Sequence, residues 1–440
     1  MTITPILSEA QISAVDAVAR LLVDGFGVAG LALAIVRSDQ VFAKGYGVKQ
    51  SASAPPVDAD SLFHLASISK TFVATAIMQL VESGKVELEV PVANYVPDFV
   101  LTDARYRQCT VQQMLSHTAG VPDTLDYGWN RPEYDDDALA RYVRSLHDAQ
   151  LLSAPGERFA YSNIAYEVLG LLIARISGQS FEAYVADHIL RPLGMETSTF
   201  FKQEVRPDRA TSPHLLTPAT TVSAVYPYNR AHAPSSTLHS SANELSRWAI
   251  ANLERGALDG AHILQPSSYD LLWKPCHETD PDYPTERIGL AWFLDERRGH
   301  RTMRHGGEDV GFCAELVLLP DDGAAVILLA NTIPAPLYRF GNALIDILFG
   351  VEPEIPKPPA LLTLGAVLAN KGVTVAVEHY RQLEADSPDR YRFDADQFEE
   401  YGQMLRDVGQ TAEARRVANL GLVLYPDSEE LVRLAGVEDE

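Results

Sequence analysis

The hydrophobic period of this chain changes from strand-like to helical and back between residues 28 and 330, and that change limits the folds open to it. Val28 to Arg37 and Gln40 to Tyr46 read as two strands joined at Ser38-Asp39, with Gly45-Tyr46-Gly47 closing the hairpin. Asp135 to Ser198 is helical in character, clearest from Ile164 to Ile176 and from Ser180 to Leu190. Strand-like spacing returns from Ile288: Gly289 to Leu294, Arg301 to His305, Gly311 to Leu319 and Ala324 to Ala330. Pro320-Asp321-Asp322-Gly323 is the clearest turn among them. Helical material between two strand-rich ends predicts an α+β chain with an inserted helical part. The expected division is 1–84 with 237–350 for the α/β part and 85–236 for the insertion.

Further elements fill in the outline. Ser8 to Val23 has helical spacing, Thr110 to Ser116 reads as a short helix, and Ser241-Ala242-Asn243-Glu244 is a capping box opening a helix to Asn252. Thr211 to Ser236 reads as loop. The proline-rich segment 351–360 reads as a linker to a helical tail over 361–440. Within the tail, Leu364-Gly365…Gly372…Ala376…Tyr380…Pro388 is weakly echoed by Tyr401-Gly402…Gly409…Ala414…Pro426, close to tetratricopeptide (TPR) length. Two such units are too few to stand alone, so the tail is expected to dock on the body.

The chain has 440 residues, length for about three domains. Its net charge of −23 argues against nucleic acid and anionic membranes as partners. Cys109, Cys276 and Cys313 lack metal or disulfide spacing and are expected to be buried free thiols. Met1 to Ala19 has no signal-peptide pattern, and no apolar run reaches the roughly 18 residues of a spanning helix, so the expectation is a soluble, cytoplasmic protein.

Chemistry concentrates at Ser67-Ile68-Ser69-Lys70, which opens the apolar run Thr71 to Val81 and is its only Ser-x-x-Lys match. Residues three apart share a helix face, so the Ser67 hydroxyl and the Lys70 amine point into one space. Burial lowers a lysine's pKa, and an uncharged amine can activate serine as a nucleophile. The helix N-terminus suits a developing oxyanion. Tyr161-Ser162-Asn163 precedes the Ile164 helix; a phenol beside a lysine can relay a proton, and an amide can fix the lysine and hold a substrate carbonyl. His305-Gly306-Gly307 ends a strand, where glycines let backbone approach a ligand and the N–H that follows, that of Glu308, can complete an oxyanion hole.

These three pieces, in this order, resemble the serine β-lactamase and penicillin-binding-protein superfamily, in its class C-like branch of esterases, peptidases and β-lactamases. Gly45-Tyr46-Gly47, Leu115-Ser116-His117-Thr118-Ala119-Gly120, Gly289-Leu290-Ala291-Trp292 and Ala330-Asn331 support the likeness, which covers about residues 10 to 350. The resemblance implies a β-lactamase/transpeptidase-like α+β fold: an antiparallel sheet flanked by helices, with an inserted all-helical domain. It further implies Ser67 as nucleophile, Lys70 as its activating partner and Tyr161 as general base and acid, Lys70 and Tyr161 titrating as one unit. Asn163 would bind the acyl amide or carbonyl, His305, Gly306 and Gly307 would line the cleft, and the N–H groups of Ser67 and Glu308 would form the oxyanion hole. No metal or organic cofactor is implied.

The third motif departs from the Lys-Thr-Gly of β-lactamases. Without that lysine, a substrate carboxylate loses its charge-assisted partner, which weakens the case for penicillin or D-alanyl carboxypeptide turnover. His117 is expected to be structural. Tyr127, Trp129, Tyr226 and Tyr228, in the loops Asp123–Asp137 and Pro213–Pro234, are candidates for the cleft wall. The leading expectation is a serine hydrolase acting on small esters through an acyl-enzyme. An amidase, peptidase or acyl transferase for D-amino-acid or non-ribosomal peptides is the alternative; a non-catalytic scaffold using its tail is the third.

Overall fold

A computed structural model describes residues 6–50, 55–124, 126–216, 219–280, 286–407 and 410–436. Gly409 of the tail echo, Leu125, Thr217 and Pro218 of the two loops, and Met1 to Pro5 lie outside the described residues.

Eight strands form one antiparallel sheet: β1 (Gly30–Arg37), β2 (Gln40–Gly47), β3 (His277–Glu278), β4 (Arg287–Ile288), β5 (Phe293–Arg297), β6 (His300–Asp309), β7 (Phe312–Leu319) and β8 (Ala324–Ala330). Their order is β2-β1-β8-β7-β6-β5-β4-β3, so the first hairpin is zipped onto the last strands by the β1–β8 pairing, Leu31 opposite Ala330. The alternation along these strands explains both faces. Leu31, Leu33 and Ile35 meet Val15, Val18, Phe340 and Leu344 on α1 (Glu9–Arg20) and the C-terminal helix of the body, Leu337–Leu348. Ala32, Ala34 and Val36 face the opposite way, into a larger core with Phe72, Ile77, Leu245 and Trp248.

That larger core is built on α2 (Ser69–Glu82) and α3 (Asn163–Ser177). From Ser61 to Met78 every residue is buried except Ser67, which is partly exposed. A helix apolar on all sides belongs in a core, and α2 is locked there by Phe72 stacked on Trp248 at 4.0 Å. The expected strand Gly289 to Leu294 starts only at Phe293. Ala291 takes φ +68° and its N–H donates to Leu115 O, so a tertiary contact breaks the strand. The segment 211–236 is more ordered than a loop: His214–Leu216 pairs with Thr220–Val222 and with Thr332–Ile333. Of the cysteines, Cys109 and Cys313 are buried but Cys276 is partly exposed; all three are free thiols. Among the described residues no helix is long and apolar enough to cross a membrane.

Beyond Pro359 the chain is helical: α4 (Gly365–Asp386), α5 (Asp396–Asp407), α6 (Thr411–Leu424) and α7 (Glu429–Ala435). Tyr380, Phe398, Leu405, Val417 and Leu434 are buried in one apolar cluster that also takes in Leu215, Leu216, Val310 and Ile333 of the body. Trp129 and Val225 pack against the same cluster.

Candidate active site

Ser67 sits in a 3₁₀ turn, Ala66–Ile68, that feeds directly into α2. Ala66 is held at φ +46°, a conformation that costs a non-glycine residue on the order of 1–3 kcal/mol. One turn on, the Lys70 side chain is fully buried, and three oxygens surround its amine: Ser67 Oγ at 2.9 Å, Asn163 Oδ1 at 2.5 Å and the Ser235 carbonyl at 2.9 Å. The amine also lies 5.1 Å from the centre of the Tyr161 ring and 5.6 Å from that of Tyr166, between two aromatic faces.

Tyr161 and Asn163 reach this point because Ser162 caps α3. Its hydroxyl accepts from Ala165 N (3.1 Å) and donates to Pro122 O (2.8 Å), tying the helix start to the loop after Gly120. His117 completes the seat. Its Nδ1 accepts from Ser162 N, and its ring stacks on Tyr161 at 4.2 Å. Burial, then the charge of Lys70, keeps His117 far below its usual pKa, so it packs as a neutral ring.

Both amide hydrogens of Asn163 are taken, one by Asp123 Oδ2 (3.0 Å) and one by the Tyr127 hydroxyl oxygen (2.5 Å). Asn163 thus holds Lys70, but its N–H groups are not free for a substrate carbonyl. That corrects half of the expectation.

Strand β6 passes close to the nucleophile. A β-carbon at Gly307 would stand 2.1 Å from Leu65 O and 3.1 Å from Ser67 N, so only glycine fits there. Gly306 is exposed and looser; its nearest neighbour would be Glu315 Oε2 at 3.3 Å. The end of the strand is anchored by Asp309, whose Oδ2 is 2.8 Å from His64 Nε2. His305 does not line an open wall. It is 1% exposed, with Nδ1 donating to Gly306 O (2.6 Å) and Phe293 edge-on at 5.5 Å. Burial, then Lys70, pushes its pKa down to about 3. The position that carries a cation in β-lactamases is therefore neutral here.

Glu308 is pushed up to about 7 by dehydration of its carboxyl, then by the charges of Asp309 and Asp407, although the residue keeps an exposed edge. A carboxyl raised in the fold stabilises it in full below the ordinary carboxylate range and loses that contribution as pH climbs through about 7. Thermal melts between about pH 5 and 8 should therefore decline less steeply for Glu308→Gln than for the parent chain.

Of the aromatic candidates, Tyr127 reaches Asn163 and Trp129 stacks on Tyr127 at 5.0 Å. Tyr226 instead bonds His239 Nε2 (2.9 Å), and Tyr228 is buried against Tyr134. Sequence reasoning missed Asp123 and Ser235. The first stands 40 residues from Asn163 in sequence, and the second acts through its backbone carbonyl, which no side-chain motif records. Behind Ser235, Glu167 is fully buried and accepts from Ser235 Oγ (2.6 Å), with His232 Nδ1 at 3.0 Å.

The family profile described as Beta-lactamase matches residues 15–348. Penicillin-binding protein 4 of Amycolatopsis lactamdurans is 29% identical over 346 residues, covering 76% of this chain and 89% of that protein. The chain spans only 60% of the length of the Protein flp sequences of Staphylococcus aureus that it also matches. Among solved structures, EstCE1, described as a hydrolase with promiscuous acyltransferase activity, superposes with TM-score 0.68 at 21% identity over 78% of this chain and 99% of its own. The D-amino acid amidase of Ochrobactrum anthropi SV3 does so with TM-score 0.65 at 21% identity, over 78% and 99%. With a match over most of its length and the serine, lysine and β6 glycine brought together as described, the chain belongs to the Beta-lactamase family and is a serine hydrolase of that fold.

Proposed function

We propose that this hydrolase takes an acyl group onto Ser67 from small esters and passes it to water. The observation that carries the reading is the Lys70 amine at 2.9 Å from Ser67 Oγ in a fully buried niche with two further acceptors. Activation requires the amine to take the Ser67 hydroxyl proton on its lone pair, and the two N–H donors it would then keep match the two other acceptors, Asn163 Oδ1 and Ser235 O. Ser67 Oγ then bonds to the scissile carbonyl carbon as its proton passes to the Lys70–Tyr161 pair. The developing oxyanion is met by the N–H groups of Ser67 and Glu308, on the two segments that Gly307 lets approach. Collapse of the intermediate breaks the bond to the leaving alkoxide, which takes the proton from Tyr161. Water repeats the steps on the acyl-enzyme, and Ser67 recovers its proton.

The ester reading is supported by the neutral His305, which offers no charge to a substrate carboxylate. An amide substrate is the second reading, favoured by the structural likeness to the D-amino acid amidase. We read the tail as two TPR-like helix pairs, on the strength of its sequence echo, and the compartment as cytoplasmic.

A fluorophosphonate probe should label Ser67, and p-nitrophenyl esters should turn over. Ser67→Ala should abolish both, and Tyr161→Phe should slow turnover by about a hundredfold or more. If the parent chain reacts with neither reagent, the hydrolase assignment to Ser67 is wrong. A panel of esters against D- and L-amino-acid amides separates the two readings.

A further inference from the structure

Asn163 has no amide hydrogen left over, and the reason fixes its orientation. The Asp123 carboxylate can only accept, so Nδ2 must face it, which turns Oδ1 to the Lys70 amine. The remaining Nδ2 hydrogen ends on the Tyr127 hydroxyl oxygen at 2.5 Å. Having accepted there, the Tyr127 oxygen still has its own hydrogen to donate, and among the described residues none takes it. Dehydration, then the negative charges of Asp123 and Asp309, raises this phenol's pKa, so it stays a donor at any working pH.

The ring is held firmly enough to orient a ligand. It lies nearly parallel to Trp129, 9° between planes, and meets His232 edge-on at 5.1 Å. Trp129 in turn packs on the apolar cluster that joins Leu215 and Val310 to Leu405, Val417 and Leu420 of the tail. A half-buried phenol, braced on one side and hydrogen-bonded on the other to the amide that holds Lys70, is a fixed donor linked to the nucleophile through Asn163 and Lys70.

We propose that Tyr127, in place of Asn163, is the substrate-orienting donor of this cleft: its O–H binds a carbonyl in the acyl part of the substrate, beside the scissile bond. The inference rests on the acyl-enzyme reading and names its substrate class. Acyl groups carrying an amide carbonyl, as in N-acylaminoacyl and peptide-like esters or amides, are selected over plain alkanoyl groups. A site that donates to a substrate carbonyl loses that selectivity when the donor is removed.

The test compares two p-nitrophenyl esters with one leaving group, an N-acetylaminoacyl ester and a butyryl ester, in the full chain and in Tyr127→Phe. Phenylalanine keeps the stack on Trp129 and removes the hydroxyl, which is both the free donor and the acceptor of Asn163 Nδ2; unchanged circular dichroism and melting temperature confirm the fold. Tyr127→Phe should lower kcat/KM for the N-acetylaminoacyl ester about tenfold more than for the butyryl ester, the loss of one neutral hydrogen bond, the butyryl change reporting whatever the variant does to Asn163 and Lys70. A ratio that is unchanged, or that rises because the freed Asn163 amide takes over, overturns the proposal. A second arm needs no turnover. In the Ser67→Ala background the N-acetylaminoacyl ester should bind more tightly than the butyryl ester, and adding Tyr127→Phe should cancel the difference. Equal affinities before that change overturn the proposal whatever the kinetics show, whereas failure of the parent chain to label at Ser67 counts against the hydrolase reading alone.

Discussion

Lys70→Ala should slow acylation of Ser67 by about a thousandfold or more, read as the rate of fluorophosphonate labelling or the burst with a p-nitrophenyl ester. The amine is the one basic group within hydrogen-bonding distance of Ser67 Oγ among the described residues, at 2.9 Å. The variant should also be less stable. Asn163 Oδ1 and Ser235 O would each be left buried without a donor, a cost of about 1–3 kcal/mol apiece. Measuring the melting temperature beside the rate separates the two effects, since a folded variant that labels at the parent rate would remove Lys70 from the mechanism. Lys70→Arg is expected to fare no better: a guanidinium stays protonated at any working pH and has no lone pair for the Ser67 hydroxyl proton.

Gly307→Ala is expected to cost about a hundredfold or more in acylation rate, with Gly306→Ala as its control at less than about threefold. The two glycines are adjacent on β6 but face different surroundings. At 307 the added methyl would stand 2.1 Å from a backbone oxygen, Leu65 O, which cannot turn aside as a side chain can. Relief requires the strand to move away from Ser67, and Glu308, whose N–H is proposed for the oxyanion, moves with it. At 306 the nearest atom is the Glu315 carboxylate at 3.3 Å, which needs to shift by only a few tenths of an ångström. Equal losses at both positions would show that strand position is not what matters.

Much of this arrangement was legible in the sequence, for identifiable reasons. Ser67 and Lys70 lie three apart at the start of an apolar run, so helix geometry alone puts them on one face, and the structure places them in contact. The strands on either side of the Pro320 turn follow from short apolar runs bounded by a turn, and β7 and β8 are buried at every position. Local pattern fails where a distant group decides. Gly289 to Leu294 has strand spacing, yet the Leu115 carbonyl draws the Ala291 N–H out of the ladder. His305 was expected on the cleft wall because its motif stands there in the family, but Phe293 and its own hydrogen bond to Gly306 O draw the ring inside. Asn163 was expected to face the substrate. What redirects it is a pair of residues, Asp123 and Tyr127, in a loop tied to Ser162 through Pro122 O, with Trp129 packed on the apolar cluster.

The apolar cluster shared by Val310, Leu215 and the helices beyond Pro359 means that the region matching the family profile is not self-contained. A chain ended after Gly350 would lose most of the cluster in which Leu216 and Ile333 are buried and against which Trp129 packs. Proteins that keep the catalytic half but carry a different C-terminal segment would meet their substrates across a differently supported rim. Exchange of that segment is thus a route by which selectivity can diverge while the serine, the lysine and the phenol stay unchanged.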